Sequence, residues 1–136
     1  MEIWCLVSGV WYYPSPERIA SLDVQALRNL QFSLRKAEYV IGLSQSIAEG
    51  KLDLDRFRKM DDDEVTSKLV AYRGVGPWTA QGFLMSGLGR TNLFPVADIG
   101  LQNALNKVWN MDRKQTQDEM LACFPEWSPY LSYAAL

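Results

Sequence analysis

The chain has 136 residues, about the size of one domain, and its 48% hydrophobic and 22% charged residues are typical of a folded globular protein. It contains no histidine, which excludes histidine-based triads, histidine general bases and histidine zinc sites. The net charge is −2, but it becomes +2 when the four charges of the acidic run from Asp61 to Glu64 are left out, so a local nucleic-acid-binding face is permitted.

The two cysteines, Cys5 and Cys123, are too few for a four-cysteine iron–sulfur cluster, and we expect no such cluster. Free thiols in a reducing cytosol are the interpretation we favour for both, and a single long-range disulfide is the alternative. The N-terminus has the acidic Glu2 where a signal peptide would be basic, and no apolar run approaches about 18 residues. These features predict a soluble cytoplasmic protein with no membrane partner.

Apolar residues recur at spacings of three and four, and no stretch alternates as a strand would, so the sequence predicts a single all-α domain over residues 1–136. Ser15-Pro16 predicts a helix start, with proline at the first helical position. Asp23 is expected to cap a second helix through about Leu30. Ser33 is expected to cap a longer helix that ends at Glu49-Gly50.

The acidic run is explained by the helix that follows it. Asp61, with Glu64 three residues later, forms a capping-box pattern, and carboxylates in a first turn complement the helix dipole. A functional acidic patch is the alternative. Further helices are expected at about 77–88, 97–108, 116–124 and from residue 128 to the end.

Two glycines flank one valine between two expected helices, in the string Gly74-Val75-Gly76-Pro77. Glycine permits a tight turn and a close approach to a partner. The first amides of the helix that starts at Pro77 have no intrahelical acceptor and suit a phosphate oxygen. A plain connection between two helices is the alternative for this string taken alone.

The longer motif changes that interpretation. The string from Gly74 to Ala80, GVGPWTA, followed by FPVADIGL from Phe94 to Leu101, closely resembles the helix-hairpin-helix DNA glycosylase superfamily. Within it, the alkylbase branch of 3-methyladenine DNA glycosylase II is the most similar. The resemblance extends from about Pro14 to the last residue. It implies an incomplete helical glycosylase domain, with the helix-hairpin-helix at about 65–89 and the catalytic-aspartate segment at 94–101.

The resemblance also implies how the chain would bind DNA. Family members bind the DNA backbone through the hairpin and often hold a monovalent cation, Na⁺ or K⁺, on its carbonyls, with no other cofactor required. The implied backbone-binding residues are Gly74, Val75, Gly76 and Thr79, and the implied cation ligands are the carbonyls of Val70, Tyr72 and Val75.

Asp98 matches the catalytic aspartate of the family. The implied activity is base-excision repair: hydrolysis of the N-glycosidic bond of alkylated purines such as 3-methyladenine in double-stranded DNA, in the cytoplasm and at the nucleoid if the source is bacterial. A fixed carboxylate stabilises an oxocarbenium-like sugar and can activate water. Trp78 stands where strand-cleaving relatives have a lysine, so a monofunctional enzyme is implied, and its ring could stack on a flipped, electron-poor base.

Each of these residues has a simpler explanation. Asp98 precedes an apolar helix and could be an N-cap, and Trp78 could be a core residue. Arg73 replaces a proline usual in the family, and the sequence does not decide between a phosphate contact and a solvated side chain.

The resemblance implies a partial domain, because family members normally have further helices before this region and a longer C-terminal end, and Leu131 replaces a usual arginine. Three alternatives are therefore open. The chain could be a fragment or short form of an alkylbase glycosylase whose activity depends on missing parts, a DNA-binding module without turnover, or a structural protein whose exposed core surface is covered by self-association.

Overall fold

The structure is a computed structural model that describes residues 5–110, 113, 115–122 and 125–136. The chain divides into two compact units, one formed by Met1–Lys59 with Ala71–Gly74 and the other by Met60–Val70 with Val75–Leu136. That the chain is one domain stays a prediction. Cys123 lies outside the described residues, so the expectation of free thiols also stays a prediction. Among the described residues, no helix combines the length and apolar character needed to span a bilayer.

The first unit contains three helices, and they confirm the predicted helix start at Ser15-Pro16 and the predicted caps Asp23 and Ser33. Side-chain oxygens of Ser15, Asp23 and Ser33 each accept a hydrogen bond from the backbone amide three residues later. Such a contact satisfies one of the orphan amides of a first turn. The helices are α1 (Pro16–Ala20), α2 (Val24–Arg28) and α3 (Leu34–Ala48). The second one ends two residues earlier than predicted, and Leu30 is exposed.

The core of the first unit forms where α3 packs against α1 and α2. Its buried residues are Ile19, Leu27, Ala37 and Ile41. Ala37, Ile41 and the buried Ser44 lie on one face of α3, at the spacing of an amphipathic helix. Gly50, with φ +70°, follows the end of this helix in the left-handed conformation that glycine permits. A short 3₁₀ turn at Arg56–Lys59 buries Phe57.

A two-stranded antiparallel β-hairpin, which the sequence pattern does not predict, precedes α1. Its strands are β1 (Cys5–Val7) and β2 (Val10–Tyr12), with Val7 opposite Val10. Ser8 and Gly9 connect them, both at positive φ, as a tight turn between twisted strands requires. Three-residue strands are too short to show alternation, so only the Ser-Gly pair signals the turn. The fold is mostly helical, as predicted, with this small addition.

The second unit is helical throughout its described elements. Asp61 caps the first of its helices by accepting the Glu64 amide at 2.8 Å, which confirms the structural explanation of the acidic run. Its helices are α4 (Asp62–Val70), α5 (Pro77–Gly82), α6 (Ile99–Val108), α7 (Gln117–Ala122) and α8 (Leu131–Ala134).

Several bounds in this unit differ from the prediction. The helix expected over 77–88 continues beyond α5 as a wider π-helical turn, Phe83–Gly87. The helix expected from residue 97 begins at Ile99, because Asp98 is its cap. The end expected at Phe124 lies outside the described residues, and the helix expected from residue 128 is confined to α8.

The core of the second unit joins the segment before α6 to the helices that follow it. Its buried residues are Phe94, Val96, Leu105 and Met120. Ser132, 6% exposed, connects α8 to the same segment. Its amide donates to the Thr91 carbonyl, and its hydroxyl accepts from the Leu93 amide at 3.0 Å and lies 2.7 Å from the Arg90 carbonyl. These bonds position the segment that leads into Asp98.

Candidate active site

Asp98 is the N-cap of α6, in the second unit. Its backbone is extended, and its Oδ1 accepts a hydrogen bond from the Leu101 amide at 2.9 Å. The alternative that Asp98 is an N-cap is therefore confirmed for Oδ1. It accounts for one of the two carboxylate oxygens.

Trp78 binds the other oxygen. It lies in the first turn of α5, and its indole N–H donates to Asp98 Oδ2 at 2.7 Å. The side chain is 58% exposed, so Trp78 is not a core residue. The sequence predicts roles for these two residues separately, and the structure brings them into direct contact across 20 positions of the chain.

The two hydrogen bonds stabilise the charged form of the carboxylate. The Leu101 amide, first, and the Trp78 indole, second, hold the pKa of Asp98 below its ordinary value. Asp98 is therefore ionised throughout the neutral range, with both oxygens fixed in place.

Asp98 and Trp78 open onto a cleft of about 540 Å³. The rest of its described lining is largely apolar, and among the described residues that line it only Asp98 has an ionisable side chain. A fixed negative charge beside an apolar wall favours a flat ligand with positive or electron-poor character. The apolar lining residues include Met85, Pro95, Leu101, Ala104, Val108 and Leu136.

The π-helical turn contributes Met85 and Ser86 to this lining. Wider turns of this kind often occur at functional sites. The sequence analysis missed both residues, and the glycines at 82 and 87 that bracket the turn are the only local signal. At Gly87 an added Cβ would lie 2.9 Å from the Phe83 ring, so this glycine lets the turn close.

The two glycines of the predicted hairpin differ. Gly74, in the first unit, has φ +92°, and an added Cβ would overlap the ring of Tyr39. The fold itself therefore requires glycine at this position. Gly76, in the second unit, has φ −98°, and an added Cβ would meet nothing within 4 Å. The described fold therefore does not require glycine at this position, and the predicted role of Gly76 at the DNA backbone stays a prediction.

The start of α5 offers unpaired amides. Gly76 is the cap and makes no side-chain capping bond, Pro77 has no amide hydrogen, and Ala80 is the first residue to donate back, to the Gly76 carbonyl at 3.0 Å. The Thr79 amide precedes that bond and belongs to the set that a helix leaves without an acceptor. The predicted role of Thr79 is consistent with this position.

The carbonyls predicted to hold a cation belong to Val70 and Val75 of the second unit and Tyr72 of the first. Among the turn and loop hydrogen bonds of the described residues, none is accepted by these three carbonyl oxygens. The cation site itself stays a prediction.

Comparisons with known proteins relate this geometry to a family. Residues 2–129 match the model of the HhH-GPD superfamily, described as base excision DNA repair protein. YfjP of Bacillus subtilis, which is named provisionally as a DNA-3-methyladenine glycosylase, is 59% identical over 94% of this chain and 45% of its own length. A second Bacillus subtilis protein, named DNA-3-methyladenine glycosylase, is 37% identical over 91% of this chain and 41% of its own.

A solved structure shares the fold. The 3-methyladenine DNA glycosylase of Schizosaccharomyces pombe, in complex with abasic DNA, superposes with a TM-score of 0.80 at 22% identity, over 90% of this chain and 60% of that one. The chain spans less than half the length of both Bacillus relatives.

Proposed function

Because the chain belongs to the HhH-GPD superfamily of base excision DNA repair proteins, we propose that it removes alkylated purines such as 3-methyladenine from double-stranded DNA by hydrolysing the N-glycosidic bond. The observation that supports this proposal most directly is the Trp78–Asp98 pair at the edge of an apolar cleft. Both Bacillus relatives bear names that refer to this activity. A DNA substrate would place the reaction in the cytoplasm, at the nucleoid in a bacterium.

Asp98 acts mainly as a fixed negative charge. Cleavage of the N-glycosidic bond places positive charge on the sugar, and a carboxylate held nearby stabilises that transition state. A second, protonated carboxyl is not needed, because an alkylated purine already bears positive charge and leaves as a neutral base. Since its pKa is lowered, Asp98 is a weak base. It therefore orients the attacking water and accepts its proton late, once the water has begun to bond to the sugar cation.

Trp78 has two roles in this mechanism. Its indole edge holds Asp98 Oδ2, which leaves the faces of the ring available to a base that has left the DNA stack. Cation–π attraction favours a positively charged base over a neutral one at such a face. Flipping a base costs about a few kcal/mol, least for damaged or weakly paired bases, so stacking on Trp78 would add to that selectivity.

The reaction ends at base removal. The resemblance puts Trp78 where strand-cleaving relatives have a lysine, and none of the described residues that line the cleft is a lysine whose amine could attack the sugar. The product is therefore an abasic site in an unbroken strand.

The hairpin segment binds the DNA backbone in this proposal. In the second unit, the Gly76 backbone can be approached without a side chain in the way, and the Thr79 amide has no intrahelical acceptor. A phosphate oxygen is favoured at such a helix start. Gly74 and Val75 would contribute their amides to the same backbone, and a monovalent cation on the predicted carbonyls would add positive charge.

Release of free base from methylated duplex DNA tests this function. We expect wild-type protein to release 3-methyladenine and leave the strand intact until alkali is added. Asp98→Asn should release at least about 10²-fold less, the scale on which removal of one electrostatic stabiliser slows catalysis. Asp23→Asn is the matched control, since Asp23 caps α2 with the same geometry and should leave the release rate unchanged.

Two other results would contradict the proposal. Equal release by wild type and Asp98→Asn would show that Asp98 is not the catalytic carboxylate. Salt-sensitive DNA binding without release by any variant would make the chain a DNA-binding module, the second interpretation of the sequence.

A further inference from the structure

Tyr39, on α3 in the first unit, lies beside two consecutive residues of the same unit, Arg73 and Gly74. Its ring occupies the space where a Cβ of Gly74 would be. The same ring lies under the guanidinium of Arg73, whose Cζ is 5.5 Å from the ring centroid. This distance is within the range of a cation–π contact. The Tyr39 ring thus makes glycine necessary at position 74 and orients the guanidinium of Arg73, which directly precedes it.

The positive charge of Arg73 is otherwise available. The side chain is exposed, and none of the ion pairs within 4 Å among the described residues includes it. Glu38 lines the same recess as Arg73 and Tyr39, but it too is absent from those pairs. Arg73 is thus oriented by a ring and not neutralised by a close carboxylate.

An oriented guanidinium is suited to phosphate. It presents donors in a planar fork that matches two phosphate oxygens, and holding it in place beforehand reduces the rotamer entropy lost on binding. The chain as a whole is acidic, so general attraction to DNA is weak and a placed cation matters more. An arginine elsewhere on the surface without such a contact would have to be ordered by the DNA itself.

We propose that Arg73, oriented by Tyr39, is a DNA phosphate ligand of this chain. The inference rests on the proposed function, because the phosphate belongs to the DNA substrate. It adds a side-chain contact immediately before Gly74, whose backbone amide is already proposed to bind the same DNA strand. It adopts the first of the two alternatives that the sequence left open for Arg73, a phosphate contact.

The salt dependence of DNA binding tests this proposal. The full chain is titrated with a fluorescent DNA duplex over a series of salt concentrations, and the slope of log K against log salt is measured. Loss of one phosphate contact reduces the slope by about 0.9, which corresponds to roughly eight-fold weaker binding at ~0.1 M salt. We expect this change for Arg73→Ala. Arg18→Ala removes the same charge from an exposed position on α1 and should leave the slope unchanged.

Two further variants separate charge from orientation. Arg73→Lys keeps the charge and should retain the slope, with weaker binding because the planar fork is lost. Tyr39→Phe keeps the ring and should bind as wild type, whereas Tyr39→Leu should weaken binding without changing the slope. Circular dichroism confirms that each variant is folded.

The outcomes distinguish this inference from the function it rests on. Wild-type binding with a salt-dependent slope that Arg73→Ala leaves unchanged overturns the role of Arg73 alone. An equal loss in Arg18→Ala would assign the effect to net charge and also overturn it. Absence of salt-dependent binding by the wild type would overturn the DNA interaction as a whole.

Discussion

The starts of α2 and α6 use the same local chemistry for different ends. Asp23 and Asp98 are both N-caps with extended backbones, and each accepts the amide three residues later, at 2.7 Å and 2.9 Å. Asp98 differs in its second oxygen, which accepts a hydrogen bond from the Trp78 indole, and in lining the cleft. In the proposed mechanism one carboxylate would both cap α6 and stabilise the reacting sugar, because the capping bond fixes the side chain beside the cleft.

Replacing each aspartate by alanine tests the capping role that Asp23 and Asp98 share. We expect these two substitutions to lower thermal stability more than the other variants do. Asp23→Ala should destabilise the protein by about 1 kcal/mol, or roughly 3–5 °C in Tm, because the first turn of α2 loses its acceptor. Asp98→Ala should lower Tm by more, since the Leu101 amide and the Trp78 indole both lose their partner. Thermal unfolding followed by circular dichroism measures both.

Asparagine is the control at both positions, because it caps a helix about as well as aspartate. Asp23→Asn and Asp98→Asn should each recover most of the lost stability. A Tm for Asp98→Ala equal to that of the wild type would show that the capping bond contributes nothing, and the comparison between the two helices would fail.

The same comparison shows what the sequence could predict. The caps Asp23, Ser33 and Asp61 and the helix start at Ser15-Pro16 were predicted correctly, because each depends on residues close in the sequence. The family motif predicts site roles, which stay predictions, for Asp98 and Trp78. Their hydrogen bond could not be predicted from spacing, because it joins the first turn of α5 to the cap of α6 and depends on how two helices pack.

Other features were missed for physical reasons of the same kind. The β1–β2 hairpin is too short to give a periodic pattern. The π-helical turn differs from an α-helix by one residue per turn, and the apolar spacing over 83–87 fits both. The two hairpin glycines look alike in the sequence, yet the Tyr39 ring makes only Gly74 necessary for the fold.

Trp78→Phe tests what distinguishes Asp98 from Asp23. A carboxyl group with a lowered pKa stays charged until the pH falls through that pKa, so activity that needs the charge is lost only on the acid side. Removing the indole donor raises the pKa of Asp98, and the acid limb of the pH profile should move to higher pH. The shift should be partial, because the larger cause, the Leu101 amide, remains. Base release measured under single-turnover conditions across the acid range gives the limb.

Trp109→Phe is the control for this experiment, because Trp109 does not line the cleft. Its pH profile should coincide with that of the wild type. If the limb stays in place in Trp78→Phe and activity falls equally at every pH, Trp78 acts through stacking alone and the hydrogen bond does not tune the charge.

The smallest effect is expected from Gly100→Ala, at the second helical position of α6. The corresponding residue of α2 is Gln25, so this position accepts a side chain when the cap serves only the helix. Beside Asp98, an added Cβ would lie 3.1 Å from Oδ1, tighter than ordinary contact, and the carboxylate would have to move by a few tenths of an ångström. Alanine also favours the helix over glycine, by up to about 1 kcal/mol.

The displaced carboxylate should affect the rate of base release, whereas the higher helix propensity of alanine should affect Tm. Tm should rise slightly or stay level in Gly100→Ala, while the rate of base release should fall several-fold, because a small displacement of a catalytic group costs rate. Gly42→Ala in α3 is the matched control: an added Cβ there meets nothing within 4 Å, so Tm should rise and the rate should not change. A Gly100→Ala protein that is both more stable and fully active would show that Asp98 tolerates displacement. Its carboxylate would then act as a nearby negative charge that needs no strict geometry. Asp98 would differ from Asp23, which only caps a helix, solely in lying beside the cleft.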